Sequence, residues 1–204
     1  MVQVALVSLI SDRLVATSRI PVSLIEWQGC PDCTVYGDGL VNSGLKRGLG
    51  TIMSMTAYFK EGSHPGIESD PSLHPWVACA NNVTGDKDAE YWWYRVAMCA
   101  NPGQTVESCI DSIKMPADLV EPIRECTNDP SKSSKLVNDM HLYGNGFQRF
   151  PWPLIDGKAC LPQPDTHGDD ITPLIQVVCK WAGDSGISPL PPACDAVVEH
   201  SVVS

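Results

Sequence analysis

The sequence predicts an α/β fold in which a βαβ unit is followed by a helical block, a late strand and a closing helix. Three observations carry this. Two β-branched runs, Ile20 to Glu26 and Thr51 to Phe59, flank a segment whose apolar residues recur at helical spacing. A stretch from Glu90 to Met140 then reads as successive helices cut by Pro and Asn. Only after that block does extended character return, at Trp152 to Ile155, ahead of an Asp156-Gly157 turn.

The first strand, Ile20-Pro-Val-Ser-Leu-Ile-Glu26, ends on turn chemistry at Gly29. From Cys30 to Gly50, Tyr36, Leu40, Val41, Leu45 and Leu49 fall near one helical face, although Gly37, Gly39 and Gly44 weaken the helix. The second strand closes at Glu61-Gly62, which implies a parallel pair with a right-handed crossover. Residues 61–90 are rich in Gly, Pro, Ser, Asn and Asp and are expected to form a long loop. Helices are expected at Val106–Lys114, Ala117–Cys126 and Ser131–Met140, with Asp118 and Ser131 as N-caps. Ile171, Leu174, Ile175, Val178 and Trp181 predict the last helix within Asp170–Ala182, and the Pro-rich tail beyond it reads as an irregular strap.

Composition excludes several function classes. The chain has 204 residues, with 14 basic against 24 acidic side chains and a net charge of −10. There is no basic footprint for nucleic-acid phosphates, and no apolar run approaches the ~20 residues of a membrane-spanning helix. Nine cysteines point to an oxidising compartment, and an odd count leaves at least one unpaired within a monomer. Met1 to Ile10 is an apolar run of signal-peptide length with no basic residue ahead of it, readable as a vestigial signal segment or as an extra strand or short helix. Asn82-Val83-Thr84 is a glycosylation sequon, with Asn82 as acceptor.

Cys30-Pro31-Asp32-Cys33 sits where a strand hands over to a helix. A thiolate at a helix N-terminus is stabilised by unpaired N–H groups and the positive end of the dipole. Cys30 is therefore expected to be an exposed nucleophile and Cys33, one turn in, the resolving thiol. Asp32 acts against this, since a neighbouring carboxylate disfavours the thiolate. Zinc would need a second close ligand pair, and the other seven cysteines are dispersed, so no metal and no organic cofactor is expected. A strand-CxxC-helix unit with a proline entering a later strand, at Phe150-Pro151-Trp152, is the pattern of a thioredoxin-like fold. There a cis-proline packs against the cysteines, so Pro151, Phe150 and, three residues before Cys30, Trp27 are expected to face substrate.

The remaining signals are weaker. Gly183-Asp184-Ser185-Gly186 has the letters of a serine-protease nucleophile loop, but no matching histidine segment exists, so a turn is expected. The five histidines read as solvated loop residues, and Tyr91-Trp92-Trp93-Tyr94 as core packing on a helix.

Taken in order, several stretches resemble the gamma-interferon-inducible lysosomal thiol reductase family. They are Ile20 to Glu26 with Cys30-Pro-Asp-Cys33; Ile123-Arg-Glu-Cys126 with Lys135 to Met140; Phe150-Pro-Trp152 with Ile155-Asp-Gly-Lys158; and Leu174 to Cys179 with Cys194. The family's Cys-Gln-His-Gly signature would fall at Cys79-Ala80-Asn81-Asn82, which departs from it, and Cys160 has no counterpart. The resemblance implies a divergent member that reduces protein disulfides in an acidic lumen, lysosomal or secreted. It implies a redox domain over 20–194 with a helical insertion at about 90–142, an N-terminal extension 1–19 and a C-terminal tail 195–204. Cys79, Cys99, Cys109, Cys126, Cys179 and Cys194 are left as structural disulfide candidates with open connectivity, and Cys160 as the orphan. The expected partners are disulfide-containing proteins, with no nucleic acid and no membrane. The chain is expected to be a monomer, an odd cysteine offering a disulfide-linked dimer. The alternative function is a non-catalytic, disulfide-stabilised secreted binding module.

Overall fold

The computed structural model describes residues 19–66, 72–83, 87–101, 103–159 and 170–195. Residues 1–18, Cys160 and most of the C-terminal tail, on which some of the expectations above fall, lie outside them. Strand β1 (Ile20–Gln28) leads into helix α1 (Pro31–Gly39), which continues through a π turn at Leu40–Gly44 and 3₁₀ turns at Leu45–Arg47 and Leu49–Thr51 before β2 (Met53–Ser63). Five helices follow: α2 (Leu73–Val83), α3 (Lys87–Ala100), α4 (Val106–Ile113), α5 (Ala117–Thr127) and α6 (Pro130–Gly144). The chain returns as β3 (Trp152–Ile155) and β4 (Lys158–Ala159), then closes with α7 (Thr172–Asp184) and a 3₁₀ turn at Pro192–Cys194.

The sheet order is β2-β1-β3-β4. β1 and β2 are parallel, with Ile20 opposite Met53 and Glu26 opposite Phe59. β3 runs antiparallel to β1, with Ile25 opposite Trp152. Alternation sets the buried face: Ile20, Val22, Leu24 and Glu26 of β1 and Met53, Met55, Ala57 and Phe59 of β2 are all buried. Helices α1 and α3 meet on that face at unusually close range. A Cβ on Gly37 would lie 2.0 Å from Met98 Sδ, so the glycine that weakens α1 is also what admits α3.

The outer side of β2 is covered. Asn81 Nδ2 of α2 donates to Ala57 O at 2.6 Å. The C-terminal end of α6 lies so near that a Cβ on Gly144 would be 2.7 Å from Phe59 O. Just beyond, Glu61 N donates to Asn145 Oδ1 at 3.2 Å.

Three disulfides join the six structural candidates: Cys79–Cys126 ties α2 to α5, Cys99–Cys109 ties α3 to α4, and Cys179–Cys194 ties α7 to the turn after it. Each removes freedom from the unfolded chain, a stabilisation of typically ~2–4 kcal/mol.

Three expectations are corrected. Residues 61–90 are not one long loop, because helical structure begins at Leu73. Pro75 lies in the first turn of α2, where a missing N–H leaves no helical bond unmade, and Leu73, Trp76, Val77, Ala78, Cys79 and Ala80 bury a continuous face. Asp118 and Ser131 are not N-caps: Pro116 stands at the N-cap of α5, and Asp129 caps α6 by accepting from Ser131 N at 3.0 Å. Nor are the histidines all solvated loop residues. His74 on α2 is 4% exposed, and its Nδ1 lies 2.8 Å from Nε2 of His141 on α6. The turn expected at Gly183–Gly186 overlaps the end of α7: Gly183 and Asp184 close the helix, Gly186 N donates to Gly183 O at 3.0 Å, and Gly186 has φ 75°.

Candidate active site

β1 and α1 together bring the cysteine pair to the C-terminal end of the parallel strands. Gly29, at φ 75°, turns the chain between them. Cys30 is the N-cap of α1: its backbone is extended, its Sγ accepts from Cys33 N at 3.3 Å, and Pro31 occupies the first turn. Cys30 and Cys33 are both free thiols. Cys33 is completely buried, and Cys30 is only 6% exposed rather than the open nucleophile expected. The cover is the segment entering β3: the Phe150–Pro151 bond is cis, and Cys30 Sγ lies 4.0 Å from Phe150 O.

Trp27 and Phe150 also meet, with ring centroids 5.7 Å apart. His64 stands edge-on to Trp27 at 5.2 Å, and Lys60 Nζ lies 4.4 Å from the Trp27 ring centroid. Trp27 is half-buried, and its carbonyl accepts from Cys30 N at 2.9 Å. The structure thus gathers Cys30, Cys33, Pro151, Phe150 and Trp27 at one place. Asn82 is exposed in the last turn of α2, and its sequon partner Thr84 lies outside the described residues.

Electrostatics separate the two thiols. Cys30 is lowered from 9.0 to about 7, mainly because the Cys33 thiol donates to its thiolate; the Cys33 N–H adds to this, while burial and the Asp32 charge oppose it. The opposition of Asp32, evident from sequence, is therefore outweighed. Cys33 moves strongly the other way, through burial first, then its bond to Cys30 and the charge of Glu26. One thiol is poised to ionise and its neighbour is held protonated.

Beneath the pair lies a group that sequence reading placed in a strand without giving it a role. Glu26 is fully buried, and its carboxyl is raised to about 8, chiefly by burial and further by the Cys30 charge; the hydrogen bond from Tyr94 works against this. Tyr94 Oη donates to Glu26 Oε1 at 2.9 Å, whereas Oε2 is buried without a partner. A signal was present in the sequence: Glu26 continues the inward register Ile20, Val22, Leu24, four residues before Cys30. Asn101, 1% exposed, is the second missed residue. Its Oδ1 accepts from Gly29 N at 2.8 Å, and its Nδ2 donates to Thr34 Oγ1 at 3.4 Å, so it holds the turn that presents Cys30. No local signal marks it, because those partners lie far away in sequence. Among the described residues, no cluster of His, Cys, Asp or Glu is arranged to hold a metal ion.

No family model and no curated protein matches the chain. Among solved structures, the chain is similar to alpha-DsbA2, a thiol-disulfide exchange protein from Wolbachia pipientis. The TM-score is 0.50 at 14% identity, covering 81% of this chain and 83% of that one. It is also similar to a Pseudomonas syringae protein with a provisional disulfide-isomerase designation, with a TM-score of 0.47 at 16% identity, covering 82% and 94%. At these identities the likeness concerns architecture. The chain has a thioredoxin-like α/β fold with a helical insertion between its βαβ unit and the strand that follows the cis-proline.

Proposed function

We propose that this chain is a thiol–disulfide oxidoreductase that reduces disulfides in protein substrates, a divergent relative of the gamma-interferon-inducible lysosomal thiol reductases. The observation that carries this reading is the asymmetry of the pair: Cys30 is lowered to about 7, while Cys33 is buried, protonated and within the field of a buried carboxyl. The Cys30 thiolate attacks a substrate disulfide. A Cys30–substrate S–S bond forms, the substrate's own bond breaks, and one substrate thiolate leaves and takes a proton from solvent. In the fraction of molecules whose Glu26 is ionised, a minority below pH 8, Cys33 then gives its proton to that carboxylate and attacks Cys30 Sγ. The Cys30–Cys33 bond forms and the second substrate thiolate departs. The substrate gains two electrons and the dithiol loses two; a further thiol of the compartment, small-molecule or protein, restores the dithiol by the same exchange.

Pro151 and Phe150 form the docking edge beside Cys30, with Trp27 as the adjoining apolar contact, and the dithiol is the redox group that the chain itself supplies. Neither thiol being bonded to another cysteine favours this reading over a non-catalytic binding module. The three disulfides favour an oxidising lumen, lysosomal or secreted. At pH 5 a thiol of pKa about 7 is roughly 1% ionised, against ~0.01% for one at 9.0, so the lowered value supports the attack by Cys30 in acid, whereas a Glu26 raised to about 8 makes resolution faster towards neutral pH. The same reading assigns residues 20–194 to the redox domain, 1–19 to an extension and 195–204 to a tail, with a glycan on the exposed Asn82 and a monomer as the working unit. Insulin-disulfide reduction tests it. Cys30→Ser abolishes activity, and Cys33→Ser accumulates a mixed disulfide with substrate; equal activity of wild type and Cys30→Ser would refute the proposal.

A further inference from the structure

Helix α3 reaches into the site from outside the strand–helix unit that carries the cysteines. Its Tyr94 is 2% exposed, and the hydroxyl ends 2.9 Å from Glu26 Oε1. That approach depends on α1 having no side chain at Gly37, because a Cβ there would lie 3.2 Å from Tyr94 Oη as well as on top of Met98. The titratable groups that act on Glu26 or on its Tyr94 partner are Cys30 at the N-cap of α1, Cys33 and Tyr36 on α1, and Tyr94 itself on α3. On β2 the residue opposite it is the apolar Phe59. Burial and the Glu26 charge push the Tyr94 hydroxyl well up, so it remains an O–H donor throughout neutral pH.

We propose that Tyr94 is the positioning residue for proton transfer in this site: its O–H occupies Glu26 Oε1 and fixes the carboxyl, leaving Oε2 to receive the Cys33 proton. The proposal rests on the thiol-exchange reading above and adds a role for the helical insertion. Oε2 is the carboxyl oxygen with no partner, and it is buried. A carboxylate turning freely in that space would present its two oxygens in variable directions, and the hydroxyl removes that freedom. The bond survives proton transfer, because Oε1 accepts from Tyr94 whether Oε2 is bare or protonated. It is stronger to the charged form, so it holds the carboxyl's proton affinity down against the effect of burial. The insertion thereby takes part in the resolving step without touching either sulfur.

Reaction of the reduced protein with an aryl disulfide such as 5,5′-dithiobis(2-nitrobenzoate) separates the two steps. The first thiolate released reports attack by Cys30, and the second reports resolution by Cys33, each followed by stopped flow from pH 6 to 9.5. In Tyr94→Phe, which keeps the buried ring, the first phase is unchanged. The second phase has its apparent pKa displaced upward by about one unit and runs ~10-fold slower at pH 7. In Glu26→Gln that titration disappears, and adding Tyr94→Phe changes nothing further. The proposal is overturned if Tyr94→Phe leaves the second-phase profile in place, slows both phases alike, or slows Glu26→Gln as much as wild type. Failure of the underlying reading looks different: wild type then shows no rapid first phase and no insulin reduction.

Discussion

Acid should destabilise this protein through His74. In the fold the imidazole is packed between Phe59, with ring centroids 5.6 Å apart, and His141, whose Nε2 lies 2.8 Å from its Nδ1. Its Nε2 is buried without a partner. Burial, and then the charge of His141, lower His74 from 6.5 to about 4. His141 is lowered too by burial, although the nearby Glu61 carboxylate pulls it back up. The sign follows from linkage. Above pH 6.5 His74 is neutral whether folded or unfolded, and it costs nothing. As pH falls from 6.5 towards 4, the unfolded chain binds a proton that the folded chain refuses, so stability declines across that window. At 1.36 kcal/mol per unit, the loss at pH 5 is about 2 kcal/mol, and its limit below pH 4 is about 3 kcal/mol. Urea unfolding at pH 7.5 and 5.0 measures it, with His74→Gln as the reference that removes the titration. The variant is less stable at pH 7.5, having lost its packing on Phe59, but its decline between the two pH values is smaller by about 2 kcal/mol. An identical decline in the two proteins would refute the reasoning. If the compartment is acidic, the three disulfides offset a penalty that the His74–His141 contact imposes there.

Two further outcomes follow from the site. Asp32→Asn removes the charge that raises Cys30, so the midpoint of Cys30 alkylation by iodoacetamide, about 7 in wild type, moves down by a few tenths of a unit; a rise would show the sign to be wrong. Asn101→Ala leaves the Gly29 N–H buried without its acceptor and costs about 1–3 kcal/mol in denaturant unfolding, while Cys30 alkylation becomes slower at fixed pH as the turn loosens.

How much of this was legible in the sequence depends on how local each cause is. β1 and β2 announce themselves because a β-branched run closed by turn residues is a property of neighbouring residues, and the helical face from Tyr36 to Leu49 is visible despite its glycines for the same reason. Residue composition misled at 61–90. Asn, Asp, Pro and Ser around α2 have the chemistry of turns, whereas the helix is held by burial of Leu73 to Ala80 and by a disulfide to α5, both supplied from elsewhere in the chain. The histidine pair escaped for a related reason, since His74 and His141 meet only through the packing of α2 on α6. At the site, the CxxC and the proline ahead of β3 are short motifs that carry their own geometry. Glu26 was readable from register alone, but its partner Tyr94 was not: an aromatic run on α3 looks like core packing, and only the close contact at Gly37 places one of its hydroxyls on a buried carboxyl.

The cover on β2 decides where a substrate's backbone can go. An exposed strand edge is a template for any extended chain, and on this side of the sheet the template is occupied, with Asn81 taking the Ala57 carbonyl and α6 lying against Phe59 and Lys60. On the function proposed above, an incoming disulfide-bearing segment would dock beside Cys30, at Phe150 and Pro151 just ahead of β3, and not along β2. Gly144 is the residue on which this one-sidedness turns. A methyl group there would meet the Phe59 carbonyl at 2.7 Å and its carbon at 2.9 Å, both main-chain atoms that cannot swing aside. Any side chain at 144 lifts α6 and uncovers a sticky edge, so a mutation remote from both sulfurs would turn a covered sheet into an aggregation-prone one.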